Sequence, residues 1–275
     1  MEEPRVLIGV PHTQFMFSDF AVSMTNMHRP SEHCRVMWVG QKTLIDHARN
    51  SVCEVAINND FTHVFFMDSD QTFPADALMH LLEHDKDVVS GIYPQRSFFM
   101  KPVMYRTNRK TKKMEHIIEW PNKLFPIDAC GAGCLLVKTE VLRKLKKPWF
   151  LITETNVGGY VGEDFYFCKK VKEAGFNIWC DPRVQCGHVD LVEFTIEDFI
   201  KQRDRKREYE NKKKSFTVKC MFCKKEFTDT MEGDLLYEYE NNKDTPAPIA
   251  DCPHCGKQTP FVDKEQLDIL KPDLG

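Results

Sequence analysis

Apolar and polar positions along the chain follow two periods. Val6-Leu-Ile-Gly-Val10 is a continuous apolar run and reads as a first buried strand. Thr62-His-Val-Phe-Phe-Met67 and Asp87-Val-Val-Ser-Gly-Ile-Tyr93 read as two more, on their β-branched and aromatic content. Gln41 to Asn58 predicts an amphipathic helix, with Leu44, Ile45, Ala48, Val52, Val55 and Ala56 on one face. Pro74 is expected in the first turn of a helix carrying Ala77, Leu78, Leu81 and Leu82. Lys101 to Arg106 and His116 to Trp120 predict a hairpin across the polar stretch 107–113. A second part, Ala129 to Val189, holds Cys130-Gly-Ala-Gly-Cys134, a helix from about Thr139, and one from Glu163 to Ala174 with Gly175 at C′. Strands alternating with helices up to Tyr93 predict an α/β fold with a largely parallel sheet. Ligands of such sheets bind beyond the carboxyl ends of the strands.

Composition sharpens this picture. In 275 residues, a 42% hydrophobic and 29% charged content supports a substantial core and excludes wholesale disorder. The net charge of −3 predicts no global attraction to polyanions, so any basic surface is local. The acidic start, Met1 to Arg5, runs straight into the first strand; no signal peptide, membrane span or membrane partner is expected. Four of eleven cysteines fall in two Cys-x-x-Cys pairs, which points to metal in a reducing, cytoplasmic setting, that of a microbial host or a virus-infected cell.

Chemistry concentrates first at Asp68-Ser-Asp70, directly after the second strand. Two carboxylates there can share one hard cation, Mn²⁺ or Mg²⁺, and through it a diphosphate. A surface loop offers the same triplet. Order along the chain separates the two readings. Ile45-Asp-His-Ala-Arg-Asn50 and Thr62 to Pro74, then Cys130 to Val137, then Gly162-Glu-Asp164, then Gly187-His188 resemble, in sequence, the motifs of GT-A-fold, family-2-like glycosyltransferases of phage or viral type. The resemblance covers roughly residues 4 to 190. It implies a nucleotide-sugar-binding domain with a mostly parallel mixed sheet flanked by helices, and transfer from a UDP- or GDP-sugar to an acceptor hydroxyl.

The same resemblance assigns roles. Asp70 is implied as the direct metal ligand, Asp68 as a ribose or water-mediated metal contact, and His188 as a further metal ligand. Val10, Pro11, Arg49 and Gly133 are implied at the nucleotide-sugar. Asp164, with Glu163 beside it, is implied as the catalytic base of an inverting reaction. Each has a plainer alternative: a structural histidine, a solvated helical arginine, or acidic residues favoured at a helix start. Trp149 and Phe150 fit sugar stacking and core packing equally.

Beyond residue 200 the character changes. Residues 201–215 hold eight Lys/Arg against three Asp/Glu. Cys220-Met-Phe-Cys223 and Cys252-Pro-His-Cys255 are 28 residues apart and match a closed Zn²⁺ site of the zinc-ribbon kind, with His254 a spare ligand. The organisation expected is a glycosyltransferase domain over 1–200, a basic helical linker over 201–216, and a zinc-ribbon-like module and tail over 217–275. The basic run reads either as a solvated helix or as a contact to phosphates, with a hydroxymethylated or otherwise modified base in phage DNA as acceptor. Transfer to protein or glycan, nucleotidyl transfer, and a nucleic-acid-binding protein with an inert domain are the alternatives.

Overall fold

The structure is a computed structural model. It describes residues 3–13, 15–30, 33–40, 43–96, 100–155, 159–190, 195–209, 212–233, 236 and 249–260. The chain divides into two compact units, Met1–Phe199 and Ile200–Gly275.

The first unit begins β1 (Val6–Pro11), α1 (Ser18–Asn26), β2 (Cys34–Val39), α2 (Ile45–Asn58), β3 (His63–Met67), β4 (Gln71–Thr72), α3 (Ala77–Glu83) and β5 (Val88–Ile92). There follow β6 (Met104–Thr107), β7 (Met114–His116), β8 (Phe125–Ile127), β9 (Ala129–Cys130), β10 (Cys134–Lys138) and α4 (Thr139–Lys144). Next come β11 (Thr153–Thr155), β12 (Gly159–Val161), α5 (Glu163–Glu173), β13 (Ile178–Gln185), β14 (Gly187–His188) and α6 (Ile196–Arg207), the last crossing into the second unit.

Seven strands form the central sheet in the order β2-β1-β3-β10-β5-β13-β8. β2, β1, β3, β5 and β13 run one way, while β10 and β8 run against their neighbours. The sheet is therefore mixed and mostly parallel. Both faces are covered, which is why the central strands read as unbroken apolar runs. On one face Val6, Ile8, Val10, Phe65 and Met67 pack with Phe20 and Met24 of α1 and Leu78 and Leu81 of α3. On the other, Phe66 meets Phe150 edge-on at 5.2 Å, and Phe150 stacks on Phe167 of α5 at 4.5 Å. Full burial of such side chains stabilises by about 1.5–3 kcal/mol each.

Several expectations need correction. α2 starts at Ile45, and its buried face includes Asp46 and Arg49, whereas Leu44 is 65% exposed. Ala48, Val52 and Ala56 are buried as expected; hydrophobicity alone did not show that Asp46 and Arg49 share their face. Pro74 precedes α3 instead of lying in its first turn; its carbonyl accepts from Ala77 N–H at 3.0 Å. The hairpin exists, but its second strand is Met114–His116, set by the register Tyr105↔His116 and Thr107↔Met114. α5 ends as expected, with Gly175 in the left-handed region at φ +85°.

Trp149 and Phe150 are core residues, 2% and 0% exposed, so neither offers a face to a sugar. Asn50 of α2 fixes this segment: its Oδ1 accepts from the N–H groups of Trp149 and Phe150, and its Nδ2 donates to Phe150 O.

In the second unit, β15 (Lys213–Lys219) pairs with β16 (Glu226–Glu232), and β17 (Ile249–Asp251) with β18 (Gln258–Pro260). Phe216, Val218, Met231, Leu236 and Ala250 make a small core. The basic stretch is not one helical linker over 201–216: α6 takes it to Arg207, and Lys213 already belongs to β15, paired with Glu232.

Candidate active site

The carboxyl ends of β1, β3 and β5 open onto a cavity of about 370 Å³. Pro11, His12, Val39, Ile45 and Ala48 form its less polar side; Arg49, Asp68, Asp70, Tyr93, Glu163 and Asp164 form the charged side. A larger open groove of about 830 Å³, lined from β6, β7 and β8, contains none of these side chains.

Arg49 ties the charged side together. Its side chain is 3% exposed, yet each of its three nitrogens donates a hydrogen bond. Nη2 donates to Asp68 Oδ1 at 2.9 Å, Nε to Glu163 Oε1 at 3.1 Å, and Nη1 to the Ala132 carbonyl at 3.1 Å. The guanidinium also faces the Phe66 ring at 5.7 Å. Burial by itself lowers its pKa, but Asp68 and Glu163 outweigh that and hold it above the ordinary value. Arg49 is thus no solvated helical residue. It joins α2, the end of β3 and the start of α5.

Asp70 lies apart from that network. His188 is delivered to it by β14, which pairs with β4 just beyond Asp70, and Val189 N–H donates to the Asp70 carbonyl at 2.7 Å. His188 Nδ1 donates to Pro94 O at 2.8 Å, so in the neutral ring Nε2 carries the lone pair. That nitrogen faces Asp70 Oδ2 at 3.5 Å. Two acceptors so placed attract only across a positive charge. The oxygen-and-imidazole set, with its backbone-fixed tautomer, fits Mn²⁺ or Mg²⁺ whose remaining positions go to water and phosphate. Burial works to raise the Asp70 pKa, but without a metal ion a protonated, donating His188 and then Arg96 hold it below the usual carboxylate range. Asp68, whose Oδ1 is taken by Arg49, has its pKa raised by burial against the pull of that arginine.

Asp164 is the carboxylate that Arg49 does not bind. Its Oδ1 accepts from Phe165 N–H at 2.7 Å, and burial, then the neighbouring Glu163, push its pKa up to about 6. A carboxylate so tuned is a competent proton acceptor near neutrality. Glu163, by contrast, anchors the start of α5 to Arg49.

The glycines of Cys130-Gly-Ala-Gly-Cys134 make room for protein side chains. A Cβ on Gly131 would fall 1.9 Å from Tyr93 Oη, and one on Gly133 would fall 2.1 Å from Gln71 Nε2 and 2.8 Å from Asp68 Oδ2. Gly133 N–H donates to Tyr93 Oη at 3.1 Å, and its carbonyl accepts from Asp68 N–H at 3.0 Å. Gly133 therefore shapes the back of the site from outside the cavity lining. Val10, likewise, is 0% exposed and points into the core; Pro11 after it reaches the cavity. Tyr93, Gln71, His12 and Arg96 escaped the sequence reading. Tyr93 and Arg96 had a usable signal, since they follow the carboxyl end of a buried strand.

Cys220, Cys223, Cys252 and Cys255 bring their sulfurs within 4.8 Å of one another. Among the described residues they are the only set of three or more His, Cys, Asp or Glu so gathered. Each pair sits in a tight turn, Lys224 N–H donating to Cys220 O and Gly256 N–H to Cys252 O. They could hold one tetrahedral ion such as Zn²⁺. Prolonged treatment with a strong chelator is expected to open this unit to proteolysis within residues 212–260 and leave the first unit intact. Unchanged resistance, with no metal released, would show that the thiols stand without an ion.

No protein-family model matches the chain, and no curated protein matches its sequence. Two of the solved structures that resemble it illustrate the likeness. One is the crystal structure of A197 from STIV, with 18% identity and a TM-score of 0.48 over 68% of this chain and 86% of that one. The other is GalNAc-T7 with UDP, GalNAc and Mn²⁺, with 11% identity and a TM-score of 0.46 over 73% of this chain. This chain covers 48% of GalNAc-T7. Among the described residues no helix is long and apolar enough to cross a membrane.

Proposed function

We propose that the first unit is a metal-dependent glycosyltransferase acting on a UDP- or GDP-sugar, with inversion at the anomeric carbon. The observation that carries the reading is one cavity lined by both Asp70, which His188 Nε2 approaches to 3.5 Å from outside the lining, and a second carboxylate, Asp164, tuned to take up a proton near neutrality. The motif order along the chain supports it independently.

The residues divide the work. Asp70 and His188 would hold Mn²⁺ or Mg²⁺, which when bound offsets negative charge on the departing nucleoside diphosphate. Pro11, Ile45 and Ala48 form an apolar wall suited to the nucleoside. Arg49 fixes Asp68 toward the ribose side. Asp164 accepts the proton of the acceptor hydroxyl as the new oxygen–carbon bond forms, and the bond from the anomeric carbon to phosphate breaks with its electron pair leaving on the diphosphate.

Asp70→Ala is expected to lower metal-dependent donor turnover by at least about 10²-fold with an unchanged circular-dichroism spectrum. Undiminished turnover in Mn²⁺ would remove the metal assignment. For the acceptor, the basic run of residues 201–215 supports a polyanion, and a hydroxymethylated base in DNA is our candidate. A screen of nucleotide-sugars with Mn²⁺ against such DNA, proteins and glycans, read by mass spectrometry, decides it. Product on protein or glycan alone refutes the DNA acceptor.

A further inference from the structure

Arg96 has no role in the scheme above, yet it contacts the oxygen on which that scheme depends. Its Nη2 lies 3.2 Å from Asp70 Oδ2, the same atom that faces His188 Nε2 at 3.5 Å. The Arg96 side chain is 40% exposed, and it lies two residues past Pro94, whose carbonyl orients His188. The contrast with Arg49 is instructive: 3% exposed and held by three acceptors, Arg49 has nowhere to turn. Among the described residues, Arg96 is ion-paired to Asp70 and partly open to solvent.

A divalent cation and a guanidinium cannot both sit against Asp70 Oδ2 without strong mutual repulsion. We propose that Arg96 is an exchangeable counter-cation, paired with Asp70 until a divalent ion takes that carboxylate and then turned onto the diphosphate of the donor. This rests on the reading of Asp70 and His188 as cation ligands. The forked guanidinium matches paired phosphate oxygens better than it matches one shared carboxylate oxygen. A cation arriving alone must displace Arg96 with no new anion to receive it. A diphosphate arriving alone finds Arg96 engaged. The two ligands therefore strengthen each other's binding, and by linkage each does so by the same factor. Arg96 is a positioning residue in this scheme, and its signature is that coupling.

The test uses the full chain as wild type, Arg96→Gln, Arg96→Lys and Asp70→Ala. Free Mn²⁺ is followed by electron paramagnetic resonance, alone and with UDP, GDP or inorganic pyrophosphate. Arg96→Gln is expected to bind Mn²⁺ alone about fivefold more tightly, as one partly exposed ion pair is lost. With Mn²⁺ saturating, it should bind the diphosphates about tenfold more weakly. Arg96→Lys keeps the charge without the fork, so its Mn²⁺ affinity stays near wild type while diphosphate affinity falls. A general loosening of the site would move both affinities down together. If Mn²⁺ binding depends on Asp70 but Arg96→Gln shifts neither affinity, or both the same way, the Arg96 inference is wrong and the cation site stands. If wild type and Asp70→Ala bind Mn²⁺ alike, the cation site falls and the inference with it.

Discussion

Asp164→Asn is expected to slow sugar transfer by about 10²–10⁴-fold and, at neutral pH, to make the protein more stable. The second half follows from the direction of its pKa shift. The folded-state value is about 6 against 3.8 for an ordinary aspartate, because burial and Glu163 both oppose ionisation. The folded protein thus holds this proton more tightly than the unfolded chain does. The group's favourable contribution is complete below about pH 4 and is lost as pH rises to about 6, leaving a penalty on the order of 3 kcal/mol at pH 7. Asparagine is neutral at every pH and can still accept from Phe165 N–H, so it lifts the penalty. Thermal melts at pH 7.5 and pH 4 should show a gain over wild type at the higher pH that vanishes at the lower. In the wild type, transfer should decline as pH falls through 6. Native-rate transfer by Asp164→Asn would mean another group is the base; a lower melting temperature at pH 7.5 would mean the carboxylate is not strained.

Arg49→Met should have the largest effect on folding. Methionine fills most of the volume but leaves Asp68 and Glu163 facing each other's charge without a cation, along with the Ala132 carbonyl. Breaking a buried ion network by removing one partner costs about 3–5 kcal/mol, measurable by urea denaturation. Adding Glu163→Gln to Arg49→Met should recover part of the loss, because the two residues share one network. A loss under about 1 kcal/mol would place Arg49 among ordinary exposed pairs, against its burial. Nucleotide binding should fall in the same variant, since Asp68 would no longer be held at the end of β3.

How much of this was legible beforehand varies by residue. The apolar runs of β1, β3 and β5 were plain because strands covered on both faces leave no alternation to confuse. α5 was plain from its acidic start and its terminal glycine. β2 was missed because Arg35 interrupts its apolar run at an edge strand. The apolar part of the buried face of α2 was legible at Ala48, Val52 and Ala56, but its polar part was not, because Asp46, Arg49 and Asn50 spend their polarity on distant backbone and carboxylates, which no local period reveals. In the candidate site, Asp68, Asp70, Asp164 and Pro11 were named from the resemblance, and one cavity is lined by all four. The resemblance named Asp164 as the base, but the pairing of Glu163 with Arg49 was not readable, because it joins one of two adjacent carboxylates to a side chain 114 residues away in sequence.

The reversal of β10 carries one more implication. A strand parallel to its neighbours reaches the rim of the cavity with its last residue, and whatever follows is free to diverge. β10 arrives there with its first: Cys134 is level with Met67, and Gly131 to Gly133 come immediately before. Their backbone is spoken for by Tyr93, Asp68 and Arg49. Lengthening or shortening the chain between Ala129 and Cys134 should therefore be tolerated badly. The other end of β10, at Lys138, lies across the sheet from the cavity. Laboratory recombination or natural divergence should accordingly accept length changes near Lys144 and reject them at Gly131, although only β10 and α4 separate the two.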